Sequence, residues 1–429
     1  MRWHNWAGNQ VMEPAGVAHP RGTDEIVAAV KGAAAQGRRV KAIGSGHSFT
    51  SIGLTDGLLL QLDRHDALLT LDADGLATVQ AGLPLHRLNA VLADSGRSLV
   101  NMGDVDAQTV SGAISTGTHG TGRESASIAA QVAALELVLA DGSVVTCSPT
   151  ERPDLFEHAR VGLGALGVIS TVTFRTAPLF HLRADERPMP LAEVLDGYED
   201  LVAANDHFEF FWFPHTDLAL TKRNTITTDP VAPLSRGKAW FEDVLLANTV
   251  FGAVCSVGAV APRLIPGINR FSAKALSART YTDIAPKVFI SPRTVRFHEM
   301  EYAVPREVLP DLFREIQAVI ERTGERVSFP VEVRCAPADD IPMSTASGRD
   351  SAYVAVHQYR KTPYERYFGA IERLFQQVGG RPHWGKLHTL GAAELRERYP
   401  RFDEFLAVRR QLDPEGLFRN RYLDTVLGP

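Results

Sequence analysis

Apolar residues recur at helical spacing from residue 23 onward. Ile26, Val27, Val30, Ala33 and Ala34 share one face, Asp24 and Glu25 sit in the first turn, and Gly37 supplies a stop. Short apolar runs at 38–43, 58–62 and 76–80 predict strands. Pro84 opens a second helix with Leu85, Leu88, Val91 and Leu92 on one face and Gly96 at its end. Residues 132–139 and 144–147 predict a hairpin across Asp141-Gly142, a dipeptide suited to a type I′ turn. A further strand is expected at 168–174.

The texture changes near residue 180. The dense run FEFFWF at 208–213 predicts an aromatic strand, and 229–238, with two prolines, a loop. Strands are expected at 300–304, 328–334 and 353–359, and helices at 307–322 and 363–377. The expected fold class is α+β throughout, with no internal repeat. The apolar stretch 245–261 contains Asn248, Thr249, Gly252, Ser256 and Gly258 and ends at Pro262. It falls short of the ~20 apolar residues of a membrane span, so a buried cap helix or an interface segment is expected, and no transmembrane segment.

Composition narrows the function classes. The 429 residues carry a net charge of −5 without a basic run, which argues against nucleic acid. Cys147, Cys255 and Cys335 lie far apart, so neither a disulfide framework nor a thiolate metal site is expected, as suits a cytoplasmic protein. The first residues, MRWHNWAGNQ, show no signal-peptide pattern.

Three small-residue loops carry the candidate chemistry. GSGHS at 44–48 has two glycines of a dinucleotide fingerprint, but Phe49 takes the third position and no periodic helix follows. A nicotinamide enzyme is therefore disfavoured. Successive backbone N–H groups in such a loop still form an anion nest, with Ser45 and Ser48 as extra donors; a tight turn without a ligand is the alternative. TVSGAISTGTHGTG at 109–122 and GLGALGVIS at 162–170 are again built of small residues. Small side chains let backbone approach a ligand, and three such loops suit one long ligand such as a flavin dinucleotide.

These loops, in this order, resemble the FAD-binding domain of the vanillyl-alcohol oxidase family. RPHWGKLH at 381–388 and the opening WHNWAG resemble its sugar-lactone branch, the aldonolactone oxidoreductases. GSGHSFT, GDVD, NDHFEFF, EMEYA and VAVHQY are similar to the L-gulono-1,4-lactone dehydrogenase type within it. The resemblance implies an FAD domain over 1–180, a cap or substrate domain over 181–380, and a return to the FAD domain over 381–429. It implies FAD contacts from Ala42, Ile43, Gly44, Ser45, Gly46, His47, Ser48, Asp104, Thr109, Gly112, Thr116, Gly117, Thr118, His119 and Ile169. It also implies a covalent bond from His47 to the flavin 8α-methyl; a loop histidine without that bond is the alternative. No metal is expected.

VEVR puts Glu332 and Arg334 on one face of a strand, and VAVHQY does the same for His357 and Tyr359. Each has a bland reading: a surface ion pair, a structural histidine, a solvated Lys386. The resemblance gathers Glu332, Arg334, His357 and Lys386 into a site that oxidises a CH–OH carbon. His357 is then the candidate proton acceptor, Arg334 faces the developing alkoxide, Glu332 takes substrate hydroxyls, and Lys386 faces the negative charge of reduced flavin. Relatives that oxidise open-chain alditols have serine near Asp104 and threonine near Tyr359. Those departures favour a ring lactone over a polyol, with a polyol-oxidising, peroxide-forming enzyme as the alternative. The resemblance implies that Gly103, near the family's oxygen-gating position, leaves oxygen access open, while similar sequences behave as dehydrogenases; the electron acceptor is oxygen or an external molecule. A flavin-binding electron-transfer subunit without a substrate is the competing class; membrane association, found in some relatives, is a further possibility.

Overall fold

The computed structural model describes residues 2–275 and 277–429. The N-terminal part holds a parallel three-stranded sheet, in the order Gly16–Ala18, Leu58–Gln61, Val40–Ile43. Beside it lies an antiparallel five-stranded sheet, in the order Val144–Cys147, Val132–Val138, Val168–Arg175, Leu76–Gln80, Leu68–Leu71. The helix Thr23–Ala35 buries Ile26, Val30 and Ala33, as its spacing predicts, against two strands of the larger sheet. The glycine loop leaves Val40–Ile43 and enters only the short turn Ser51–Gly53, so it opens no helix.

The second part is one antiparallel eight-stranded sheet. Its order is Arg279–Ile284, His181–Pro190, Leu218–Thr227, His207–Trp212, Val331–Ala336, Ser351–Tyr359, Phe297–Pro305, Arg381–Pro382. Strand alternation gives this sheet two unlike faces. Phe208, Phe210 and Trp212 point to the face covered by the helix Leu309–Thr323, where Phe313 meets the rings of Phe210 and Trp212 at 5.4 and 5.5 Å. The opposite face is a row of charges. Register sets Arg279 beside Glu186, Glu186 beside Lys222, Lys222 beside Glu209, and Glu299 beside His357. Neighbouring strands thus present opposite signs, which suits cross-strand pairing.

The C-terminal segment returns to the N-terminal loops. Phe49 N–H donates to Gly385 O at 2.7 Å, and Asn420 Nδ2 donates to the carbonyls of Ser51, Ile52 and Leu54.

Two expectations need correction, and two long strands were not expected. The hairpin loop is not type I′: among its residues only Gly142 has positive φ, +76°, and Gly142 N–H closes a turn onto Leu139 O. Asp141 spends its carboxylate on Ser143 N–H and Oγ instead of adopting a left-handed backbone. The long strands His181–Pro190 and Leu218–Thr227 escaped the pattern, because their inward positions include Glu186 and Lys222. Lastly, the apolar segment is neither short nor a buried cap helix. A helical run Arg236–Val260 spans 25 residues, long and apolar enough by length and composition to cross a membrane. Its inner side packs through Phe251, Cys255 and Ser256, while Trp240, Phe241, Val250 and Val260 are exposed.

Candidate active site

The three small-residue loops line one cleft. Ala42, Ile43, Gly44, Ser45, Gly46, His47, Ser48, Thr109, Gly112, Thr116 and Ile169 all face it, together with the 162–167 loop. Among the described residues, none of the backbone N–H groups of residues 45–48 meets a protein acceptor. They form the donor nest expected for a diphosphate. The glycines are sterically required. A Cβ on Gly44 would lie 2.1 Å from Thr109 Oγ1, and Gly46 has φ +72° with Trp3 at 2.8 Å from its would-be Cβ. Thr109 caps the short helix Val110–Ser115 by accepting from Gly112 N–H. These residues fit FAD, and its phosphates would sit on this nest.

Asp104, Gly117, Thr118 and His119 do not line the cleft. Thr118 accepts from Gln108 Nε2, and Gly117 is a positive-φ helix end. His119 is stacked on Tyr353 and bonds Glu301 at 2.9 Å. Asp104 belongs to the charged face of the large sheet.

His47 lines the cleft with its ring stacked on Trp6, 5.6 Å between centroids, and makes no hydrogen bond among the described residues. Burial, helped by the charge of Lys386, pulls its pKa down to about 4. It is a neutral imidazole near neutral pH, with a free lone pair for a carbon electrophile.

The charged cluster gathers the predicted residues. Arg334 touches Glu332 at 2.5 Å, Glu209 at 2.9 Å and Asp104 at 3.1 Å, all buried. Arg293 joins Asp104 and lies 3.6 Å from Glu332. Lys222 sits 3.3 Å from Glu209. Burial pushes the Asp104 carboxyl up, but Arg293 and Arg334 outweigh it and hold the pKa below the usual range. Glu332 goes the other way: burial wins over the two guanidinium groups and raises its pKa. Glu332 Oε1 and Asp104 Oδ2 touch guanidinium nitrogens yet accept no hydrogen bond in proper geometry. Buried acceptors left so are costly unless a donor meets them; substrate hydroxyls are such donors.

His357 is placed by two contacts. Nδ1 lies 3.0 Å from the Pro330 carbonyl, which fixes the proton there. Nε2 lies 3.5 Å from Glu299 Oε1. Lys386 pairs with Glu299 and lies over the Phe49 ring. The sequence missed Glu209, Lys222, Arg293 and Glu299. EMEYA held a signal for Glu299, since two acids alternate there on an apolar strand; Glu209 and Lys222 are brought in by pairing between strands, and Arg293 by the loop before Phe297–Pro305.

The profile described as D-arabinono-1,4-lactone oxidase matches residues 172–426, more than half of the chain, and the profile described as FAD binding domain matches 14–148. The protein belongs to the D-arabinono-1,4-lactone oxidase family. It is 42% identical to the L-gulono-1,4-lactone dehydrogenase of Mycobacterium tuberculosis, covering 100% of this chain and 99% of that one. It is 34% identical to the L-gulonolactone oxidase of Bos taurus (99% and 98% covered) and 27% to the D-arabinono-1,4-lactone oxidase of Eremothecium gossypii (96% and 93%). A cholesterol oxidase crystal structure from Brevibacterium sterolicum superposes with a TM-score of 0.86 at 18% identity, covering 100% of this chain and 96% of that chain. That likeness establishes a shared fold. The family member described here is a flavin-dependent oxidoreductase whose cofactor is FAD.

Proposed function

We propose that the protein oxidises an aldono-1,4-lactone of the L-gulono-1,4-lactone or D-arabinono-1,4-lactone kind at a ring CH–OH. The observation that carries this is the buried pair of carboxylate oxygens, Glu332 Oε1 and Asp104 Oδ2, that lie against two guanidinium groups without accepting a hydrogen bond in proper geometry. Acceptors and cations alternating in a dry site suit a compact polyhydroxylated ring. Bound FAD supplies the two-electron hydride acceptor.

The chain's own residues do the rest. Glu332 and Asp104 accept hydrogen bonds from substrate hydroxyls and orient the ring. Arg334 stabilises negative charge on the oxygen that loses its proton. His357 is the proton acceptor, its ring held in place by the Pro330 carbonyl at Nδ1. Lys386 would present an ammonium to the flavin, and His47, with its free imidazole nitrogen in the cleft, would hold the flavin ring and is the candidate covalent tether. The product from L-gulono-1,4-lactone then tautomerises to ascorbate. Electrons leave to oxygen or to an external acceptor, and Gly103 leaves the approach open. The division into an FAD part (1–180), a substrate part (181–380) and a C-terminal return (381–429) fits this arrangement. The enzyme works in the cytoplasm, the exposed side of the 236–260 helix being available to a membrane surface.

The test compares lactones with open-chain polyols in the wild type and in His357→Ala. Turnover of lactones and rapid loss of flavin reduction in the variant support the reading. Preference for a polyol such as xylitol, with peroxide formed, replaces it by the alditol-oxidising one. Flavin reduction unchanged in His357→Ala removes that residue as the base.

A further inference from the structure

The segment Glu299-Met300-Glu301 acts as a rail for the HWGK turn. Both glutamates lie on the charged face of the strand Phe297–Pro305 and are buried. The Glu301 carbonyl accepts His383 N–H at 3.0 Å, and the Glu299 carbonyl accepts Leu387 N–H at 2.9 Å. Lys386 N–H closes the turn onto His383 O at 2.9 Å. Both ends of the turn are therefore fixed by backbone, whatever the glutamate side chains do.

The side chains divide the labour. Glu301 is taken by His119 Nε2 at 2.9 Å. Glu299 holds Lys386 Nζ and stands 3.5 Å from His357 Nε2. Among the described residues, Lys386 has no other ion pair. The groups facing Glu299 are thus Lys386 from the turn, His357 from the neighbouring strand and Glu301 from its own, with Arg293 acting at longer range. Lys386 stands beside the glycine loop: its Nζ lies 5.6 Å from the centre of the Phe49 ring, and the preceding Gly385 carbonyl accepts Phe49 N–H at 2.7 Å, close enough for its charge to help depress His47.

We propose that Glu299 is a positioning residue that keeps the Lys386 ammonium charged and aimed at the flavin ring, so that the negative charge of reduced flavin meets a fixed cation. This rests on the flavin reading above. Burial opposes the charge on Lys386; Glu299 and then Glu301 restore it and raise its pKa. A buried ammonium stripped of its one paired carboxylate tends to shed its proton. The Glu299 carboxylate matters, on this view, through the cation it retains. Its own charge near the flavin would have the opposite effect on reduction.

That opposition makes the sign of one measurement decisive. The midpoint potential of the FAD-loaded protein is read by dye-coupled reduction, without any substrate, in wild type, Glu299→Gln and Glu299→Asp. Glutamine keeps the shape and the backbone clamp, so FAD content and melting temperature serve as checks on folding. Loss of the Lys386 charge makes flavin reduction less favourable by at least tenfold, about 30 mV in a two-electron couple, so the Glu299→Gln potential falls, and Glu299→Asp recovers part of it. In a Lys386→Met background, Glu299→Gln no longer lowers the potential. An unchanged or raised potential in Glu299→Gln overturns the proposal. Wild-type protein that reduces normally with dye but ignores every lactone sinks the function reading and leaves the Glu299 result standing on its own.

Discussion

Arg334 holds together the largest buried charge cluster around the proposed substrate position, and Arg334→Met tests that cluster. Three carboxylates contact it: Glu332, Glu209 and Asp104. After the change, Lys222 still serves Glu209 and Arg293 still serves Asp104. Glu332 keeps only Arg293 at 3.6 Å. One carboxylate is left essentially unpaired in a site where Arg334 is 8% and Glu332 5% exposed. Breaking such a pair from one side costs about 3–5 kcal/mol. For a folding unit of 150–250 residues each kcal/mol moves Tm by about 2–4 °C, so a drop of roughly 6–20 °C is expected. Adding Glu332→Gln removes the orphaned charge and returns a large part of that loss. Activity follows a different course. An electrostatic donor at a developing oxyanion is worth about 10²–10³ in kcat, and the double variant does not recover it. Scanning calorimetry on the FAD-loaded variants, with turnover on a lactone, separates the two effects. A Tm loss of under a degree in Arg334→Met would show that the cluster is solvated like a surface pair, and the reasoning fails.

Other consequences are independent of that cluster. Gly44→Ala drives a methyl into Thr109, so FAD content per protein, read by absorbance, falls sharply while the apoprotein still folds. His47→Ala leaves flavin in the supernatant after acid precipitation, whereas the wild type carries its colour into the pellet; colour in both pellets rules out His47 as the tether. Burial holds His383 down to about 3 and His388 to about 4. The unfolded chain therefore binds more protons between those values and about 6.5, and stability drops as pH falls through that window. His388→Gln flattens the pH dependence of Tm between about 6.5 and 4; an unaltered slope contradicts the assignment.

The sequence exposed the parts of this protein that depend on local chemistry. Glycines at 44, 46 and 112, flanked by hydroxyl residues, predict close backbone approach, and in the structure a methyl on each would press on Thr109 or Trp3. The two-residue spacing of Glu332 and Arg334 likewise puts them on one face. What stayed hidden depends on pairing between distant strands. Glu209 and Lys222 look like ordinary charges until strand register brings them to Arg334, and Arg293 until its loop sets it against Asp104. The same inward charges hid the strands His181–Pro190 and Leu218–Thr227 from the alternation pattern. The helix over 236–260 was misjudged because its polar residues suggested interruption. In fact Ser256 bonds Tyr359 and Asn248 Nδ2 bonds the Pro292 carbonyl, both on its packed side. Asp141-Gly142 misled for a local reason: the aspartate side chain satisfied its neighbour and kept a negative φ.

The most direct test of the central claim is anaerobic mixing of the FAD-loaded protein with L-gulono-1,4-lactone or D-arabinono-1,4-lactone while the visible flavin band is followed. The account predicts bleaching by a lactone within the turnover time, far slower bleaching by open-chain polyols, and loss of the fast phase in Arg334→Met. A flavin band that no lactone bleaches, in protein that dye reduces normally, would contradict it.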